Sequence, residues 1–107
     1  MSLDVYLTAV RPTEVYSSNI THNLGAMAKE AGIYMHLWRP DEIGVTKAEQ
    51  LIAPLTEGLA RLKAEPEHYS KFNAPNGWGL YEHFVPFVEK YLVACVENPD
   101  AEVTVWR

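Results

Sequence analysis

Between Thr46 and Pro66 the chain reads TKAEQLIAPLTEGLARLKAEP, and the spacing of its apolar residues constrains the rest of the fold. Ala48, Leu51, Ile52, Leu55, Leu59 and Leu62 recur at three- and four-residue intervals, which puts them on one face of a helix. Thr46 followed three residues later by Glu49 is the pattern of a capping box, in which each side chain satisfies a free N–H of the other's turn. Pro54 removes one backbone hydrogen bond and predicts a kink, and Gly58 weakens the helix by about 1 kcal/mol. Packing of the leucine face must outweigh both, so this helix needs a second apolar surface to lie on.

Two other stretches carry the same period. Tyr81, Phe84, Val85, Val88, Tyr91, Leu92 and Cys95 form a stripe on a helix that starts near Trp78 or Gly79 and runs to about Glu97, with Pro86 as a second kink. Leu24, Met27, Ala28 and Ala31 form a shorter one, starting around Thr21, with Thr21 or Asn19 as cap and Gly32 where a left-handed residue ends a helix. IYMHLWRP, residues 33–40, is aromatic-rich but too short to assign.

Both ends of the chain switch to period two. Leu3, Val5, Leu7 and Ala9 alternate with Asp4, Tyr6 and Thr8, the mark of a half-buried strand. RPT at 11–13 predicts a turn and EVYSS a returning strand, so residues 3–18 read as a hairpin. AEVTVWR predicts a final strand. The fold class is therefore α+β: a small antiparallel sheet, made of the N-terminal hairpin and the C-terminal strand, covered on one side by about three helices.

The 107 residues suit one domain, 1–107, able to bury roughly two thirds of its unfolded surface without staples. A single cysteine, Cys95, forms no internal disulfide and fits a reducing compartment. No secretory pattern opens the chain and no apolar run is long enough for a membrane span, so the expected location is the cytoplasm. With 14 acidic residues against nine basic ones, and the basic ones scattered singly, the chain lacks the positive surface that polymeric nucleic acid demands. Homo-oligomerisation is the default for a small aromatic-rich chain, although no heptad marks an interface.

Two polar stretches, YSSNITHN (16–23) and NAPNGWG (73–79), each precede a predicted helix. A helix start presents unpaired N–H groups and the positive end of the dipole, a seat for an anion. Ser17, Ser18, Asn19, Thr21, His22 and Asn23 add donors at the first; at the second, Asn73 and Asn76 supply amides, Gly77 and Gly79 allow close approach, and Trp78 offers a flat face for a base. If the two meet, they make a pocket for a small anionic, nucleotide-like ligand. The structural alternative is plain: Ser, Thr and Asn cap helices, Asn-Gly makes turns, and Trp78 can be a core anchor. Neither stretch matches a Walker loop or a dinucleotide fingerprint.

His22, at a first helical turn, is favoured as a neutral imidazole able to hydrogen-bond or act as a base. His83 lies off its apolar stripe, His68 falls in a predicted loop, and the four histidines show no metal-ligand spacing. Cys95, on the buried stripe, reads as an inert space filler. Arg39 and Arg107 are the arginines suited to a phosphate or carboxylate. Trp38 and Tyr34 read as core.

On NITHN, NAPNGWG and PDAEVTV the chain resembles a set of small proteins of phages, prophages and bacteria that share an Asn-x-Thr-His-Asn segment, an amphipathic middle helix, an Asn-Gly-Trp-Gly turn and a final strand. The resemblance spans nearly the whole chain and implies a small, phage-encoded accessory protein of the kind that sequesters or blocks host components. It carries no catalytic residue across. The reading that follows is a non-catalytic module, without cofactor or metal, that holds a nucleotide-like anion through Ser18, Asn19, Thr21, His22, Asn23, Arg39, Asn76, Gly77 and Trp78. An anti-defence sponge for a signalling nucleotide is one use of it. The alternatives are a protein-interaction module inhibiting a host enzyme and a small hydrolase with His22 as base, which lacks an evident nucleophile or acid partner.

Overall fold

The structure, a computed structural model, describes residues 2–9 and 14–107. Three strands form one antiparallel sheet: β1 (Ser2–Thr8), β2 (Glu14–Thr21) and β3 (Glu102–Trp106), in the order β2-β1-β3. Five α-helices lie between β2 and β3: α1 (Gly25–Glu30), α2 (Tyr34–Trp38), α3 (Glu49–Ala64), α4 (Pro66–Ser70) and α5 (Tyr81–Glu97). The expected α+β class holds, with two more helices than the periodicity predicts. The turn predicted at 11–13 falls outside the described residues.

Pairing dictates which side chains meet the helices. Leu3, Val5 and Leu7 of the central strand are fully buried, and opposite them stand Ile20, Ser18 and Tyr16 of β2 and Val105 and Val103 of β3. Cross-strand partners share a face, so these residues form the side that α5 covers. Tyr16 stacks on Tyr91 with ring centroids 5.8 Å apart. Asp4, Tyr6, Ser17, Asn19, Thr104 and Trp106 lie on the other face, which no helix covers.

The strand β2 is longer than its sequence suggests. YSSNITHN continues the ladder with β1 as far as Thr21, so Asn19 is a strand residue paired with Asp4 and not a helix cap. Its polarity has a simple cause: an edge strand whose outer face meets water needs no apolar alternation there. The chain then turns through a 3-10 helix, His22–Leu24, into α1, and Thr21 does cap this turn, its Oγ1 accepting from Asn23 N at 3.3 Å. Gly32, at φ +78°, follows α1 in the left-handed conformation expected of it.

Both long helices continue through their prolines, Pro54 and Pro86. α5 begins at Tyr81, two or three residues later than predicted, because Asn73 Oδ1 accepts from Tyr81 N at 2.7 Å. The start of α3 also differs in its chemistry. Gln50, not Glu49, closes the turn: its Oε1 accepts from Thr46 N and Lys47 N at 2.7 and 2.9 Å, and its Nε2 donates to Gly44 O. Residues 33–40 form α2 and the start of a second 3-10 turn, Pro40–Ile43. His68 belongs to α4 and pairs with Glu30 at 2.7 Å.

In the centre of the core Gly58 of α3 faces Ile33; a Cβ built there would sit 2.4 Å from Ile33 Cγ2. The glycine that looked like a helix weakness is what lets α3 approach residue 33. No helix among the described residues is long and apolar enough to cross a membrane.

Candidate functional site

The two polar segments meet. Asn23 Nδ2 donates to Trp78 O at 2.6 Å, a contact across 55 positions of sequence. Below it, Gly79 lies so close that a Cβ would stand 3.0 Å from Asn23 Cβ and 3.3 Å from Thr21 Cγ2. Gly79 also has φ +124°, which side-chain-bearing residues rarely adopt. Glycine there is required twice over, by conformation and by space.

The loop that carries Trp78 is held from within. Ala74 N donates to Gly79 O at 2.9 Å, Gly77 N to Ala74 O at 3.0 Å, and Trp78 N to Asn76 Oδ1 at 3.0 Å. These bonds fix the backbone of Trp78 while its indole stays 71 % exposed. The expectation of a core anchor is therefore not met; the core tryptophan is Trp38, 2 % exposed and stacked on Tyr34 at 5.3 Å.

Trp38 also sets the state of His22. Its Nε1–H donates to His22 Nδ1 at 2.7 Å. An imidazole nitrogen that accepts carries no proton, so while this bond stands the ring is neutral with its N–H on Nε2. Trp38 is in turn held through its carbonyl, which accepts from Arg107 Nη1 at 3.0 Å; the same nitrogen meets Asp41 Oδ1 at 3.0 Å, and that bond holds the Asp41 carboxyl below its ordinary range. Arg107 is thus a latch for Trp38 from the C-terminal end of β3.

Between the segments lies a cleft of about 940 Å³ whose walls include Asn19, Thr21, His22, Asn23, Asn76, Gly77 and Trp78. Seven of the nine residues singled out in the sequence come together here. Ser18 does not line the cleft: it lies under the sheet opposite Val5. Arg39 lines another cavity, beside Lys29, Tyr34 and His36, and is ion-paired with Glu42 at 2.7 Å. Sequence reasoning missed the polar His83 and Ser2, which line the cleft together with Ile20, Leu24 and Gly79. The signal for His83 was its place two residues inside a helix that starts just after the NGWG turn; exposure alone had counted against it.

Among the described residues the cleft wall contains no lysine, arginine, aspartate or glutamate. Its polar groups are amides, hydroxyls and two imidazoles. Elsewhere, Cys95 is fully buried and burial pushes its thiol up to about 12, so it is no nucleophile at neutral pH. Among the described residues no group of three or more His, Cys, Asp or Glu side chains is placed to hold a metal ion. Neither a protein-family model, nor a curated protein, nor a solved structure matches this chain.

Proposed function

We propose that this protein is a small binding module that holds a flat, hydrogen-bonding ligand bearing a nucleobase-like ring in the cleft between residues 19–23 and 76–79. The observation that carries the reading is Trp78. Its backbone is fixed by three hydrogen bonds of the loop and by Asn23, while its ring stands free beside a cleft large enough for a nucleotide-sized molecule. An exposed indole on a fixed backbone is a stacking platform, since only its two side-chain torsions remain to be ordered when a ring settles on it.

The hydrogen-bonding groups define the ligand further. His22 offers Nε2–H as donor, and Asn19, Asn23 and Asn76 offer both donors and acceptors. With no arginine or lysine among the described residues of the wall, a negative charge on the ligand meets imidazoles and neutral N–H groups there. A single phosphate or carboxylate fits that setting better than a triphosphate. α1 is too short to act as an anion seat, and at the start of α5 the Tyr81 N–H is taken by Asn73 Oδ1 with Glu82 in the first turn, so the charge-binding role first read into two helix starts passes to these side chains. The family resemblance adds a use: sequestration or sensing of a small signalling molecule by an accessory protein of the kind phages encode.

A thermal-shift panel of nucleosides, nucleotides, cyclic dinucleotides and ADP-ribose derivatives tests this. A ligand at a hundred times its dissociation constant stabilises the fold by about 2.7 kcal/mol, several degrees in a domain of this size. The shift is expected to disappear in Trp78→Ala. A panel that leaves the melting temperature unchanged throughout sinks the reading.

A protein-interaction role draws support from a different place: Trp106, 66 % exposed on the uncovered face of the sheet. Binding of a host enzyme that is lost in Trp106→Ala and kept in Trp78→Ala would favour that role over the cleft.

A further inference from the structure

The sheet has two edges, and only one is covered. Beyond β3 the segment before α3 runs alongside: Val103 N donates to Thr46 O, Ala48 N donates to Ala101 O, both at 2.9 Å, and Lys47 bridges Glu102. Beyond β2, among the described residues, no strand follows and no backbone group of 14–21 bonds to anything but β1. From Val15 to Thr21 this bare strand has no charge and no proline, the usual guards of an exposed edge.

Beside the bare edge a groove of about 480 Å³ runs between Tyr16 and α5, lined by Pro86, Glu89, Lys90, Val93, Ala94 and Glu97, of which Glu89 is already paired with Lys63 at 2.9 Å. Val93 and Val96, one turn apart on the outer side of α5, are 55 % and 56 % exposed. We infer that the β2 edge and this face of α5 form a two-fold interface whose occupant is a second copy of this chain.

The charges argue for a copy rather than a foreign peptide. Lys90 and Glu97 stand on one face of α5, equally far from the midpoint between Val93 and Ala94. Seven residues put them about 10 Å apart along the helix, too far to pair within one chain. Neither takes part in an ion pair among the described residues. A two-fold axis through that midpoint sets each Lys90 against the partner's Glu97, twice, and lays Val93 at the centre of the contact. The same axis suits the strands. Residues 16, 18 and 20 face the helices, so an antiparallel copy keeps its faces matched when the pairing is centred on Ser17 or Ser18. Tyr16, beside that centre, stacks on Tyr91 of α5, so strand centre and helix midpoint lie at nearly the same level. Two copies would then share a six-stranded sheet backed by paired α5 helices.

Sedimentation of the full chain over a range of concentrations tests the interface. The wild-type chain is expected to dimerise. Lys90→Glu places four carboxylates together and should raise the dissociation constant at least about tenfold. Lys90→Glu combined with Glu97→Lys restores the pairing with its signs exchanged and should restore the dimer. Val93→Asp should leave a folded monomer, checked by circular dichroism. A wild-type chain that stays monomeric at millimolar concentration overturns the inference. So does a dimer that Lys90→Glu leaves intact, or one that the double exchange fails to rescue.

Discussion

The two edges of the sheet are solved in opposite ways. The β3 edge is closed by the chain itself: residues 46–48 lie along it, and Gln50 holds that segment in shape by accepting two backbone N–H groups and donating a third bond. The β2 edge is left open along its middle, and only its far end is tied down, where Thr21 and Asn23 meet Gly79 and Trp78. A covered edge contributes stability and nothing else. An open one leaves backbone groups and side chains free for recognition, at the cost of needing a partner or a polar face to stay soluble. Both candidate functions of this molecule, the cleft and the two-fold interface, lie along the open edge.

Substitutions can break this contrast. The largest loss is expected at the tied end of the open edge. Gly79→Ala puts a Cβ against Asn23 and strains the backbone, and should cost about 2–3 kcal/mol in urea unfolding, with the cleft spoiled as well. Next comes the cover of the closed edge. Gln50→Ala should cost about 1–2 kcal/mol, whereas Glu49→Ala should stay within about 0.5 kcal/mol, since Gln50 is the residue that closes the turn. Equal losses from the two would contradict that assignment.

Trp38→Phe keeps the packing but removes the donor to His22. About 1 kcal/mol of stability should go, and the nitrogen that carries the His22 proton should change in histidine NMR spectra. An unchanged tautomer would show that the indole does not set it.

A pH titration separates the two edges. His36 lines the cavity behind the closed edge, with Val45 and Gln50, and its Nδ1 is buried without a partner. Desolvation holds its pKa below the ordinary value of 6.5. The unfolded chain therefore takes up this proton first as pH falls through 6.5, and the fold loses stability; above 6.5 both states are neutral and the effect vanishes. His36→Gln should flatten the slope of stability between neutral pH and about pH 5. Smallest of all, Ser17→Lys on the open strand should change monomer stability by less than about 0.5 kcal/mol, because its side chain faces water.

Much of the fold was legible before any coordinates. Leu3, Val5 and Leu7 announced the central strand, and the stripes of α3 and α5 were marked by residues that prove buried or, like Ile52, Leu59, Tyr81, Val85 and Leu92, partly buried against the core. The reading failed where local pattern and tertiary setting disagree. YSSNITHN looked like a loop and a helix cap because alternation vanishes when one face of an edge strand is wet and the other meets only part of a helix. Trp78 looked like a core anchor because large aromatic residues usually are; its exposure depends on a loop that bonds to itself. Ser18 seemed to belong with the cleft because it adjoins Asn19 in sequence, and Arg39 because a guanidinium suits a phosphate or carboxylate, yet Ser18 lies under the sheet and Arg39 lies beyond α2.

The sequence by itself determined the element types, the buried stripes and the polar character of the two cleft segments, because periodicity and composition act over a few residues. Tertiary structure alone decided that those segments touch, that Trp38 chooses the proton position on His22, and that one sheet edge is covered while the other is bare. Each of these depends on contacts between residues far apart in the chain, made when α3 and α5 pack against each other beneath the sheet. No local pattern encodes such distances; they follow from which apolar faces can be buried together.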